Sequence, residues 1–388
     1  MNFDIIIIGG SFAGMTAALA LTNVSADLKI AIVEKQDVLN TDKKRDGRAY
    51  AISSASLKLF KEIGIYDQVQ AEAGIISDIK ITDYKSSLFL DFLAREVGGN
   101  LGQIIENYHI HNALRDQILQ KKNITVFAPN SYEEITFEGE TKVQLDNKIT
   151  LNSKLLLACD GRFSRLREIF QIHTSVKKYH QTAIVFNIKH ELPHQNIAHE
   201  KFLPGGPLAI LPLKDSNQSS IVWIAPDKVA QAILSLDEKN FSQQLIKKME
   251  NSLGEVEVIS EKFSYPLIAI SAEKFFHEKM LLIGDASCGV HPIAGQGFNL
   301  AISGINILCD LIRKNIDSGL DICDSSLISS YNKIAKTSAK KMLVATDILN
   351  SLFETKSLSI GLARDLGLGL VNKIPTLKKF FIKNAGGF

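Results

Sequence analysis

The sequence predicts an α/β protein: a Rossmann-type dinucleotide-binding domain, interrupted by an inserted β-sheet and followed by C-terminal helices. Three observations carry that prediction. Residues 4–35 read as strand, glycine turn, helix and strand, residues 280–302 as strand, glycine-rich loop and helix, and residues 177–266 as short β-rich runs bounded by Pro and Gly. The expected division is a discontinuous dinucleotide-binding domain (1–75, 100–175 and 270–315), a β-sheet substrate domain (76–99 and 176–269) and a C-terminal helical region (316–388).

Taken in order, Ile5-Ile6-Ile7-Ile8 is a fully buried strand, Gly14 to Leu21 an Ala-rich helix, and Leu28 to Val33 a second strand. The turn between them, Gly9-Gly10-Ser11-Phe12-Ala13-Gly14, keeps the first and sixth glycines of the dinucleotide fingerprint and puts Ser11 at the third. A serine there still lets its backbone N–H reach a phosphate. Gly9, Gly10, Ser11, Ala13 and Gly14 are therefore the expected contacts, with Glu34 and Lys35 at the end of the second strand. Glu34 is placed to accept from a ribose 2′-OH. The competing reading is an ordinary tight turn with a solvated Glu.

Asp46 to Ile52 precedes a helix from Ser56 to Ile63, and Arg48 taken alone reads as a surface or salt-bridge residue. Alternation from Ile79 to Phe92 around Lys85-Ser86-Ser87 predicts a hairpin, the first piece of a second sheet. A helix opens at Glu106-Asn107-Tyr108 and leads to the strand Ile124 to Phe127. Runs at 135–137, 143–145 and 149–151 predict a small meander. Leu155-Leu156-Leu157 then predicts a buried strand ending in Asp160-Gly161 and a basic helix start, a good anion site on physical grounds, the alternative being an exposed turn.

In the insert, strands are expected at 183–188, 208–213 and 219–224, with a helix from Phe241 to Leu253. Such a sheet would form the lid over a substrate cavity. His190, His194 and His199 tempt a metal reading, but Pro193 breaks the helix that would align the first two. A solvated loop is expected there, and no metal site.

In the last αβ segment, Met280-Leu281-Leu282-Ile283 is a strand, Gly284-Asp285 follows it, and a helix starts at Phe298. Gly295 and Gly297 remove side chains where backbone must approach a ligand, and Asp285 sits at the carboxyl end of its strand. A long helix is expected from Ser326 to Phe353. The tail beyond mixes Lys and Arg with apolar residues, which suits either an anionic membrane surface or a helix packed on the protein.

Composition narrows the class of protein. At 45% hydrophobic and 22% charged the chain has the balance of a soluble globular protein rather than a disordered one. A net charge of +2 with dispersed basic residues argues against nucleic acid as partner. Cys159, Cys288, Cys309 and Cys323 lack Cys-x-x-Cys spacing and read as reduced thiols. No apolar run approaches a membrane span, and the expected place is the cytoplasm, with peripheral attachment to the inner face of the membrane left open by the tail.

Several motifs together resemble those of the class A FAD-dependent aromatic hydroxylases, over essentially the whole chain from Asp4 to Gly386. They are Gly284-Asp285-Ala286, His291-Pro292, Gly295-Gln296-Gly297-Phe298-Asn299-Leu300, and Asp160-Gly161 with Ser164 and Arg167. Cys288 and Gly304 depart from the usual pattern. Phe202 to Leu213 and Thr346 to Phe353 are similar to the ubiquinone-biosynthesis (UbiH-like) branch.

The resemblance implies a p-hydroxybenzoate hydroxylase-like fold and resident FAD. Asp285 would touch the ribityl chain, Arg48 would lie beside the ring, Asn107 or Arg115 would add a polar flavin contact, and Val126 would pass the adenine. Asp160, Gly161, Ser164 and Arg167 would serve the pyrophosphate and a visiting NAD(P)H. Gly284 and the loop of His291, Pro292, Gly295, Gln296, Gly297, Phe298 and Asn299 would wrap the ring, with Pro292 near the phenol and His291 either a proton-transfer group or a buried structural histidine.

Only one dinucleotide unit is present, so FAD should be resident and NAD(P)H transient. The chemistry implied by the family is ring hydroxylation by O2 through a flavin C4a-hydroperoxide, on a polyprenylated phenol, within a ubiquinone-biosynthesis complex. A small soluble aromatic substrate, or a reductase or scaffold subunit without oxygenase activity, are the alternatives.

Overall fold

The computed structural model describes residues 1–40, 46–84, 89–290 and 296–354. Its centre is a sheet with the strand order Phe276–His277, Met280–Leu282, Thr150–Ala158, Asn2–Ile8, Ile30–Val33 and Ile124–Phe127. The neighbours from Met280–Leu282 to Ile124–Phe127 all pair in parallel. Such strands are buried on both faces and need unbroken apolar runs. Ile5, Ile6, Ile7, Leu155, Leu156 and Leu157 are each fully buried accordingly.

The helices that cover this sheet are Phe12–Thr22, Asn107–Gln120, Gln296–Asp317 and Ser325–Glu354. Tyr331 on the last of them is fully buried and donates from its hydroxyl to the Leu282 carbonyl at 3.1 Å, pinning the helix to the strand before Gly284.

The insert folds as a nine-stranded sheet. Its long central strand, Thr174–His190, pairs antiparallel with Gln218–Pro226 on one side and Phe263–Ala272 on the other. The expected hairpin is present as Asp78–Asp83 and Phe89–Leu93, and it joins this sheet through a parallel pairing with Ile197–Leu203. One face is closed by the helices Asp227–Leu234 and Glu238–Met249, which pack Phe241, Leu245 and Met249 against Ile184, Phe186 and Trp223. Each such buried side chain contributes about 1.5–3 kcal/mol. The alternate positions, among them Ala183, Val185, Val222 and Ile224, point the other way and line a cavity.

Four expectations change. The runs at 149–151 and 155–157 belong to one strand, Thr150–Ala158, because Asn152 and Ser153 also pair with the first strand, and the meander extends the main sheet. The last αβ helix already includes Gln296 and Gly297, ahead of the expected start at Phe298. The strand Ile197–Leu203 and the helix Asp227–Leu234 were not expected.

The segment 191–196 is a loop exposed at every position but His194, yet His190 and His194 themselves are not solvated. The strand Thr174–His190 runs far enough to carry His190 into the sheet, where it is 3% exposed, and His194, in the loop beyond, turns its ring onto the Leu213 and Asp215 carbonyls and is 5% exposed. His190 Nε2 lies 2.9 Å from Ser219 Oγ, and His194 Nε2 lies 3.0 Å from the Leu213 carbonyl. Burial lowers the His190 pKa. Both are hydrogen-bonded core groups, and among the described residues no cluster of His, Cys, Asp and Glu could hold a metal ion.

Candidate active site

Parallel registry brings the carboxyl ends of the strands to a common edge, with Ile8 opposite both Val33 and Ala158, and Ala158 opposite Leu282. The residues that follow, Gly9, Glu34, Asp160 and Asp285, therefore gather where open α/β sheets bind ligands. The turn between the first strand and helix is built backbone against backbone. Gly9 has φ +106°, and a Cβ on Gly14 would stand 1.8 Å from the Gly9 carbonyl oxygen. Only glycine fits at either position.

Glu34 ties this turn to the second strand, accepting from the Gly10 N–H at 2.7 Å and the Gln36 N–H at 2.9 Å. Ser11 is the N-cap of the following helix, yet its side chain makes no capping hydrogen bond. Ser11, Phe12 and Ala13 face a cavity of about 700 Å³, so the helix N-terminus is presented to whatever fills it.

On the other side of the edge, Asp160 Oδ2 accepts from the Leu166 N–H at 3.1 Å, while the buried Oδ1 has no partner among the described residues. Ser164 caps the short helix Arg165–Ile169 through the Arg167 N–H at 3.2 Å. The buried Arg167 guanidinium donates to the Ala286 carbonyl at 2.8 Å and also to the Arg162 carbonyl. Arg167 and Ser164 thus hold the loop together and do not line the cavity, whereas Gly161 and Arg162 do. Arg162 pairs with Asp285 at 3.2 Å.

Arg48 also reaches the cavity. Its Nε lies 3.0 Å from Asp46 Oδ2, its Nη1 lies 3.3 Å from the Tyr265 hydroxyl, and its guanidinium sits 4.9 Å from the Phe263 ring centre. Burial opposes the charge of Arg48, but the bonds to Asp46 outweigh it and hold the guanidinium protonated. Asp46 feels the same opposition and is held below the usual carboxylate range by Arg48 and by Asn107, whose Nδ2 is 3.3 Å away. Asn107 therefore acts on Arg48 through Asp46.

Gln296, Gly297, Phe298 and Asn299 all line the cavity. The Asn299 amide is committed to the chain, accepting from the Ser53 N–H at 3.0 Å and the Ser56 hydroxyl at 2.8 Å, and donating to the Ala51 carbonyl at 2.8 Å. The Phe298 ring packs 5.3 Å from Tyr50. Burial first, and then Asp285, push the Tyr50 hydroxyl up to about 12, so it stays a neutral donor.

Arg115 pairs with Asp116 at 2.8 Å, Val126 lies in the edge strand Ile124–Phe127, and Lys35 is exposed; none of the three lines the cavity. His291, Pro292 and Gly295 lie outside the described residues. Burial raises the Cys159 thiol and pushes those of Cys288 and Cys309 up to about 12, which disfavours the thiolate at these three positions.

Sequence reasoning missed Tyr50, Arg162, Tyr265 and Glu200 as lining residues. Arg162 and Tyr50 could have been found, because both lie inside motifs already singled out. Tyr265 and Glu200 come from the inserted sheet, where facing depends on register.

The cavity fits a dinucleotide with a flat ring. Ser11, Phe12 and Ala13 bring the helix N-terminus to the cavity, which suits a pyrophosphate, and the close packing at Gly9 and Gly14 is what allows so tight a turn there. Open space lies where a Gly297 side chain would stand, beside Phe298 and Tyr50. The same cavity continues without a break onto the apolar face of the inserted sheet.

Comparison with known proteins agrees with this geometry. Residues 2–346 match the FAD binding domain family. The ubiquinone hydroxylase UbiL of Rhodospirillum rubrum is 32% identical over 99% of this chain and 89% of its own length. The ubiquinone hydroxylase UbiM of Neisseria meningitidis is 29% identical over 100% of this chain and 85% of its own. The crystal structure of p-nitrophenol 4-monooxygenase PnpA from Pseudomonas putida superposes with a TM-score of 0.80 at 14% identity, covering 99% of this chain and 98% of that one.

Proposed function

Because this chain belongs to the FAD binding domain family, we propose that it is an FAD-dependent monooxygenase that hydroxylates the aromatic ring of a polyprenylated phenol in ubiquinone biosynthesis. The observation that carries the reading is the single cavity. It runs from the glycine turn and Asp285 to the apolar wall of the inserted sheet, so a ring cofactor and an apolar substrate would share one enclosure.

Bound FAD supplies the activation of O2 and the transfer of one oxygen atom, with electrons from NAD(P)H. The chain does the rest. The turn Gly9 to Gly14 and the N-terminus of Phe12–Thr22 receive the pyrophosphate, Glu34 a ribose, Asp285 the ribityl chain, and Gln296 to Phe298 the ring. Arg48 holds a fixed positive charge beside it. The segments 1–75, 100–175 and 270–315 would form the cofactor part, and 76–99 with 176–269 the substrate part. Ala183, Val185, Leu211, Val222 and Ile224 exclude water and accept the prenyl chain.

Such a substrate is dissolved in a bilayer, so we place the enzyme at the inner face of the membrane, in contact with other enzymes of the pathway. No helix among the described residues is long and apolar enough to cross a membrane. The test is incubation of the FAD-loaded protein with NAD(P)H, O2 and a short-chain prenylphenol, with products read by mass spectrometry. A ring-hydroxylated prenylphenol is expected. Hydroxylation of small soluble phenols alone would overturn the assignment of substrate.

A further inference from the structure

The inserted sheet presents one lateral row of side chains to the cavity. Pairing places Glu200 opposite Ile81 on one side and Ala209 on the other, Ala209 opposite Val222, and Val222 opposite Val185. All five line the cavity. Four are aliphatic, and Glu200 is the exception.

Among the described residues Glu200 has no hydrogen-bond or ion-pair partner. The neighbouring strand positions Lys80 and Lys201 do not line the cavity, whereas His199, next to Glu200 in the strand, does; burial first, and then Lys80 and Lys201, push its imidazole down to about 4, so it is neutral beside Glu200. Lys201 is committed to Glu250 and the Met249 carbonyl, each at 3.0 Å. Apart from His199 on the same strand, the charged or phenolic groups lining the cavity, Arg48, Arg162, Asp285, Tyr50 and Tyr265, come from other elements; Arg48 contacts Tyr265, and Arg162 pairs with Asp285. Burial alone moves Glu200, pushing its carboxyl up to about 7, with no charged neighbour contributing.

Glu200 is half-buried and its side chain opens onto the cavity, so a ligand that covers the carboxyl without donating to it would leave it unpaired at a cost. Resting on the function proposed above, we propose that Glu200 is the group that recognises the substrate ring, accepting a hydrogen bond from its phenolic hydroxyl while the aliphatic row beside it packs the ring and tail. The site would then select a free phenol over the corresponding methyl ether, which has no proton to donate and would bury the carboxylate unpaired.

The test uses FAD-loaded protein and two probes, a short-chain prenylphenol and its O-methyl ether, with dissociation constants from titration of the flavin absorbance. Wild type should prefer the phenol by about tenfold or more. The preference should grow as pH rises from about 6 to 8, because ionised carboxylates accept more strongly. Glu200→Gln should lose most of the preference and its pH dependence while keeping its FAD.

An unchanged preference in Glu200→Gln would overturn the inference. So would a wild-type preference that is absent or independent of pH, which needs no variant to fold. Failure of the hydroxylase reading is seen separately, as wild-type protein that binds the phenol with this selectivity and never hydroxylates it.

Discussion

Arg162 and Asp285, 123 positions apart in the chain, meet at 3.2 Å on the cavity wall. The pair joins the loop after the strand Thr150–Ala158 to the loop after Met280–Leu282, and each residue remains partly open to the cavity, at 27% and 36% side-chain exposure. So exposed a pair adds little to stability. Its place is at the ligand edge of the sheet, where a cofactor hydroxyl can compete for the same carboxylate.

Asp285→Ala should therefore fold normally and bind FAD weakly. Loss of a charged acceptor at a bound hydroxyl corresponds to a rise of about 10- to 100-fold in the dissociation constant. Flavin fluorescence titration of the apoprotein measures it. An unchanged affinity would remove Asp285 from the FAD site.

Arg167 should behave in the opposite way. It is 6% exposed, and its guanidinium satisfies the carbonyls of Ala286 and Arg162. Arg167→Met leaves these acceptors without a donor and should cost about 2–3 kcal/mol of stability. Urea unfolding of the apoprotein, where no FAD contributes, separates this from a ligand role.

Glu200 sets a pH dependence of stability. The unfolded chain ionises it near its ordinary 4.5, the folded chain only at about 7, so the folded state keeps a proton the unfolded state has lost. Stability from this group falls as pH rises through that window. Glu200→Gln should gain about 1–2 kcal/mol relative to wild type near pH 8 and nothing near pH 4. Urea midpoints at the two pH values check both the size and the sign.

What the sequence reveals, and what it hides, divides along local and long-range structure. The turn Gly9 to Gly14, the acid Glu34 and the Gly284-Asp285 corner are legible because their chemistry and geometry are set within a few residues. Arg167 matches a motif, but the direction of its side chain does not follow from the motif: it donates to the Ala286 carbonyl and does not line the cavity. Glu200 could not be read at all. Its facing is fixed by pairing with Ile81 and Ala209, and a one-residue shift would send it to the other side of the sheet. His190 is hidden for the same reason, since it looks solvated until the strand before it is known to run on, and His194 is buried by long-range contact with the Leu213 and Asp215 carbonyls, which local pattern does not show.

As a monooxygenase of prenylated rings, this chain should insert oxygen from O2 into its substrate. The most direct measurement is single turnover of the reduced, FAD-loaded protein with a short-chain prenylphenol under isotopically labelled O2, with the product mass read by spectrometry. A ring-hydroxylated product carrying one labelled oxygen atom is expected, and no label when the isotope is supplied in water instead. Reoxidation of the flavin with the phenol recovered unchanged, or with oxygen drawn from water, would contradict this assignment.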